Sequence, residues 1–199
     1  MYSGFHHLAF ITRDLETTIR FYRDLLCFPL VAGMGNTTFK HYFFKVTDTD
    51  QIAFFAYDQA QPMEEKFHGV PTNLPLGFDH VAIGVDSKTR LFEMKDRLEA
   101  ADFKVMGPVD HGIGWSIYFF DPNGIPLELV WANLEITVPP LMGDSNPPMA
   151  AKEGSQPLPG HWPEVTRPTP RSEWRAYPGA GFELRLQALR EERGRDLAD

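Results

Sequence analysis

At 199 residues the chain suits one domain, or one domain with an appendage, and 43% hydrophobic content with 16 phenylalanines provides for an aromatic-rich interior. A net charge of −8 and a pI near 5.3 exclude the basic face that nucleic acid requires. One cysteine, Cys27, excludes an internal disulfide, and the start at Met1 shows neither a basic leader nor a long apolar run, so a soluble cytoplasmic protein with no membrane partner is expected.

Phe5 to Thr12 predicts a strand. Asp14 can cap a helix whose apolar stripe is Leu15, Ile19, Tyr22 and Leu26, and Cys27 beyond it is expected to pack as a small hydrophobe. Gly33 to Thr38, rich in Gly, Asn and Thr, reads as a loop. His41 to Val46 and Ile52 to Tyr57 read as strands around the polar turn Thr47 to Gln51. A link rich in Pro, Gly and charge, roughly 59–77, follows.

The order then repeats. Gly4-Phe5-His6-His7-Leu8-Ala9-Phe10 returns as Gly77-Phe78-Asp79-His80-Val81-Ala82-Ile83, which sets His80 73 residues (80 − 7) after His7. His80 to Val85 is a strand, Ser87 a cap, and Leu91, Met94 and Leu98 a helical stripe. Phe103 to Val109, Trp115 to Asp121 and Pro126 to Trp131 are further strands, the last two joined by the turn Asp121-Pro122-Asn123-Gly124. Each module is thus a strand, a helix and two or three strands. From Val138 onward ten prolines discourage regular structure until a short helix, Phe182 to Arg193. Trp162, Trp174, Tyr177 and Phe182 suit an arm laid along the body or a neighbouring subunit, with Trp162 and Trp174 buried.

Equivalent histidines on pseudo-symmetric strands can meet in one cleft. Each is followed on its own face by a small residue, Ala9 or Ala82, which leaves room for an ion and a ligand. Glu128, the one acid of its apolar strand, needs a partner because an unpaired buried charge is expensive. Two imidazoles and a carboxylate form the facial set typical of non-haem Fe(II), although Mn, Zn or Ni accept the same donors. His6 is expected on the opposite face, and Asp79 at the matching place marks a polar, peripheral position. Tyr118 reads either as a strand aromatic or as a group aimed into the cleft. His111, His41, His68 and His161 read as solvated loop residues. Phe10, Phe43, Phe54 and Phe120 suit either a pocket for a flat ring or the core.

Residues 4 to 133 resemble the vicinal oxygen chelate superfamily of glyoxalases, bleomycin- and fosfomycin-resistance proteins and extradiol dioxygenases. The carriers are His7-Leu8-Ala9 before Asp14-Leu15 and Phe21-Tyr22, then His80-Val81-Ala82, then Tyr118 to Gly124 with Glu128. The resemblance implies an α+β fold of two βαβββ modules, about residues 4–58 and 77–133, whose eight strands curve as a mixed sheet around a metal cleft. They fill a domain of residues 1–137, with a Pro-rich extension at 138–199. It also implies His7, His80 and Glu128 as ligands of a divalent metal, Fe(II) first, and a homodimer as the usual assembly.

Glyoxalases add an acid or amide on the last strand of the first module, and Ile52 to Ala56 offers none. The remaining triad matches extradiol dioxygenases and thiol transferases acting on fosfomycin. Tyr118, ten residues (128 − 118) before Glu128, stands where extradiol enzymes carry a substrate-binding tyrosine. Their acid–base histidine is missing: Asp48, Thr49 and Asp50 take its place, so either His41 or His111 supplies the function from another direction or the chain is not a standard catechol cleaver. The expectation is an Fe(II) dioxygenase of a small, aromatic, vicinal-oxygen substrate, with dioxygen as co-substrate and Tyr118 and His111 as catalytic groups. A metal-dependent lyase, isomerase or transferase and a non-catalytic binding protein are the alternatives.

Overall fold

In the computed structural model of the protein, which describes residues 4–37, 39–73, 77–160 and 162–196, each half of the repeat builds its own four-stranded sheet. The first half runs β1 (His7–Thr12), α1 (Leu15–Ile19), a π-helical turn (Arg20–Leu25), β2 (Leu30–Gly35), β3 (Lys40–Lys45) and β4 (Gln51–Ala56). The second runs β5 (Val81–Gly84), α2 (Lys88–Ala100), β6 (Met106–Asp110), β7 (Gly114–Phe120) and β8 (Pro126–Ala132). The strand orders β1-β4-β3-β2 and β5-β8-β7-β6 are the same pattern, each with one parallel pair next to the histidine-bearing end. The chain is therefore α+β with paired βαβββ modules, its eight strands divided between two sheets.

Local chemistry explains the elements. Asp14 accepts the Thr17 amide at 3.0 Å and Ser87 accepts the Arg90 amide at 3.1 Å, so both predicted caps satisfy otherwise unpaired helix N–H groups. Leu91, Met94 and Leu98 are all buried, as their spacing requires. Gly33, expected in a loop, lies within β2 instead. A Cβ there would stand 2.9 Å from the Tyr42 ring, so glycine makes room for a cross-strand aromatic and the strand continues past it. Cys27 is exposed and not packed: it takes a left-handed φ of 64° after the helical turn, and Arg97 donates to its Sγ at 3.0 Å. Met1–Ser3, Thr38 and His161 lie outside the described residues.

One core serves both modules. Tyr22 packs on Phe54 and Phe44 of the first sheet, while its neighbour Phe21 packs on Phe103 and on Phe119 of the second. Phe10 and Phe54 belong to this core. Each sheet turns one face to these shared helical residues, and strand alternation puts the intervening side chains on its opposite face, away from that core. His7 and Glu128 sit on those outward faces, one on each sheet.

Leu134–Gly179 forms a separate compact unit, whereas the terminal helix groups with the modules. It holds a single helical turn, α3 (Met149–Lys152), and a 3-10 turn, Arg171–Glu173. The terminal helix, α4, spans Phe182–Asp196. Trp162 and Trp174, expected buried, are 86% and 62% exposed. Proline-broken backbone leaves them local contacts, such as Trp174 Nε1 donating to the Thr169 carbonyl at 3.1 Å. Among the described residues no helix is long and apolar enough to cross a membrane.

Candidate metal centre

The second sheet assembles most of the candidate groups. Register pairs Tyr118 with Glu128 and Glu128 with Ala82, so these three stand in one row, and His80 enters from the residue before β5. His80 Nε2 lies 2.8 Å from Glu128 Oε2, and its Nδ1 lies 2.7 Å from Asp79 Oδ1. Asp79 also pairs with Lys66 and accepts the Gly69 amide at 2.9 Å. The Lys66 ammonium first, and then His80, hold the Asp79 carboxyl well below the usual carboxylate range. It is thus a firm acceptor for a hydrogen bond from His80 Nδ1–H. Asp79, expected to be peripheral, is the group that orients His80.

This arrangement supplies a test of fit. With Nδ1–H given to Asp79, Nε2 presents a lone pair to a carboxylate oxygen. Two acceptors at 2.8 Å need a shared cation, a proton or a metal. Donors bound to one ion at about 2.1 Å and a right angle stand about 3 Å apart. The pair therefore fits adjacent positions on a divalent metal.

Tyr118 and His111 are also brought together. The Tyr118 hydroxyl and His111 Nε2 are 2.7 Å apart, although His111 belongs to the exposed turn after β6. Burial first, and then the facing Glu128 carboxylate, push the Tyr118 phenol above its ordinary value. Its hydroxyl consequently stays protonated and available to donate.

His7 takes a different place. It faces Phe43 at 5.5 Å and His41 at 6.1 Å between ring centroids, on the outward face of the first sheet. Among the described residues no three His, Cys, Asp or Glu side chains converge as a cation-binding group. His6, expected to point away, turns its Nδ1 to within 2.8 Å of His7 Nδ1, because β1 begins only at His7 and alternation does not extend to residue 6. The register also explains the missing fourth donor. Glu128 lies level with Ala82, two residues after His80, and the equivalent place beside Ala9 is Ala53.

Two histidines read as solvated are not. His41 lies in β3, 7% exposed and stacked on Phe55 at 3.7 Å and 14°, with burial lowering its affinity for a proton. Phe43 joins it, giving the His7 face an aromatic floor. His68, from the link, packs on Tyr118, Phe120 and His80 with ring centroids 4.6, 5.5 and 5.4 Å away. Nothing in its local sequence, Lys66-Phe67-His68-Gly69, separates it from an exposed turn; only the pairing of Lys66 and Gly69 with Asp79 brings it here.

A family model described as the glyoxalase/bleomycin resistance protein/dioxygenase superfamily matches residues 4–129. A protein named "Probable lactoylglutathione lyase" from Vibrio parahaemolyticus serotype O3:K6 is 27% identical over 132 residues, covering 62% of this chain and 87% of the relative. Among solved structures, a glyoxylase/bleomycin resistance protein/dioxygenase domain from Frankia sp. EAN1pec is 23% identical with a TM-score of 0.57, covering 67% of this chain and 100% of its own. The fosfomycin resistance protein FosX from Listeria monocytogenes, complexed with Mn(II) and sulfate ion, is 22% identical with a TM-score of 0.51, covering 67% and 96%.

Proposed function

Since the chain belongs to the glyoxalase/bleomycin resistance protein/dioxygenase superfamily, we propose that it is a metal-dependent enzyme acting on a small substrate that presents two neighbouring oxygens. The observation that carries this reading is the His80–Glu128 pair, 2.8 Å apart and oriented by Asp79. His80 and Glu128 would hold a divalent cation, Fe(II) or the Mn(II) reported with the FosX relative, and His7 of a second copy of the chain would complete the set. A second copy is invoked because His7 and Glu128 lie on separate sheets, each on the face away from the shared core. When bound, the metal would act as a Lewis acid and template for the chelating oxygens.

The chain's own groups do the rest. Asp79 keeps the His80 ring in one tautomer. The Tyr118 hydroxyl, held by His111 Nε2, is positioned to donate to a substrate oxygen, and His111 to exchange the proton with solvent. The rings of Phe43, His41 and Phe55 offer a flat apolar surface beside His7.

Within this class, the aromatic floor, the three-donor set and the Tyr118–His111 pair favour an extradiol-type dioxygenase of a flat aromatic diol. The alternative is non-oxidative lyase, isomerase or transferase chemistry, favoured by the 27% identical relative named as a lyase. Anaerobic purification with metal quantification tests the metal; a chain that binds no divalent cation sinks the proposal. Oxygen uptake over catechols and hydroquinones, in parallel with turnover of lactoylglutathione and fosfomycin, separates the two chemistries. Uptake stoichiometric with product selects the oxygenase, and turnover without uptake selects the other.

A further inference from the structure

The link between the modules is pinned on both sides of His68. Upstream, the Met63 amide donates to the Asn123 carbonyl at 2.8 Å, and the Met63 carbonyl crowds Gly124 so closely that a Cβ there would meet it at 2.5 Å. Downstream, Gly69 adopts a left-handed φ of 65° and gives its amide to Asp79. Lys66 closes the clasp on the same carboxylate. The segment is therefore fixed to the group that orients His80, and it lays the His68 ring against Tyr118 and Phe120.

Among the described residues neither buried ring nitrogen of His68 makes a hydrogen bond of good geometry, and the Leu127 backbone lies close enough to favour the protonated ring. Buried polar atoms are nearly always paired, because an unpaired one loses its bonds to water without replacement. A merely structural residue here would be a phenylalanine, which matches the surrounding rings without that penalty. His68 is also absent from any group of three metal-binding side chains among the described residues.

We propose that His68 is a substrate-binding residue, donating a hydrogen bond to an oxygen of the small molecule chelated beside His80 and Glu128. The inter-module link is then one wall of the site, and Asp79 ties the metal ligand and the substrate contact together. This inference rests on the metal-dependent reading above.

The test uses the full chain loaded with Mn(II), 4-nitrocatechol as a coloured vicinal-oxygen probe, and the variants His68→Phe and His68→Asn. The expected result is Mn(II) affinity within about twofold of wild type for both. Probe affinity falls tenfold or more in His68→Phe, since one hydrogen bond of about 1.4 kcal/mol is a factor of ten. It is partly restored in His68→Asn, which returns a donor. Unchanged probe affinity in His68→Phe, with the fold intact by circular dichroism, overturns the inference alone. Loss of Mn(II) in that variant also overturns it, by making His68 a metal ligand. Wild-type protein that binds neither Mn(II) nor the probe removes the metal-dependent reading and this inference together.

Discussion

The Tyr22 hydroxyl donates to Asp121 Oδ2 at 3.1 Å across 99 residues of sequence, joining the helical turn of the first module to the Asp-Pro-Asn-Gly turn of the second. Asn123 Nδ2 adds to the tie by reaching both Asp121 Oδ2 at 2.9 Å and Thr18 Oγ1 at 3.3 Å. Asp121 thereby accepts from Tyr22, from the Asn123 side chain and from the amides of Asn123 and Ile125. The turn is a strut between modules as well as a chain reversal, positioned upstream of Glu128.

Removing one end of that strut should loosen the shared core. Tyr22→Phe is expected to lower stability by about 1–2 kcal/mol, the cost of a lost buried hydrogen bond to an acceptor left short of one partner. Urea denaturation read by tryptophan fluorescence checks this, and an unchanged midpoint would show that the contact contributes nothing.

Asp121 also gives stability a pH dependence of defined sign. Burial, only partly offset by its four donors, holds the carboxyl above its ordinary value of 3.8. The folded chain thus binds this proton more tightly than the unfolded chain. The contribution is fully present below pH 3.8 and is lost as pH rises through the elevated folded value. Asparagine does not titrate, so the stability of wild type relative to Asp121→Asn should be greatest in acid and decline toward neutral pH. A difference that grows with pH would contradict the assignment.

A site divided between copies makes a complementation prediction. His7→Ala and Glu128→Ala should each lose metal while keeping their fold. Mixed after unfolding and refolding together, they form hybrid dimers with one intact site, so metal should return to about a quarter of the wild-type content for random pairing in a two-fold dimer. No recovery would place the complete site within one chain or remove His7 from it.

Tyr118→Phe removes one hydroxyl and almost no volume, and with it the contact to His111. Metal content and thermal stability should hold, while turnover falls by about 10²–10⁴-fold, the range for a positioned proton-transfer group. Full activity on the true substrate would reduce Tyr118 to a strand aromatic.

Gly124 is held at φ 79° against the Met63 carbonyl. Gly124→Ala should therefore cost more than the roughly 1 kcal/mol of left-handed backbone strain alone. It should also free the link, visible as faster proteolysis within residues 59–73. Retained protease resistance would mean that the link is pinned by Asp79 only.

The repeat, the paired modules and the groups with chemistry to offer are all legible in the amino-acid order. Periodicity places Leu91, Met94 and Leu98 in the core, and short-range capping by Asp14 and Ser87 sets where helices begin. Both are local, so they are legible residue by residue. His80 and Glu128 stand out because the repeat and strand alternation are local patterns too, whereas Tyr118 and His111 stand out only through the resemblance to extradiol enzymes. Which of these groups meet depends on long-range packing. His7 and Glu128 share a motif logic yet stand on separate sheets, each on the face away from the core, because Phe21 and Tyr22 draw both sheets onto one core and no local pattern encodes that choice. His68 and Asp79 look solvated and peripheral in sequence for the same reason: an ion pair between Lys66 and Asp79, 13 residues apart, is made by the path of the link and not by the residues beside either one.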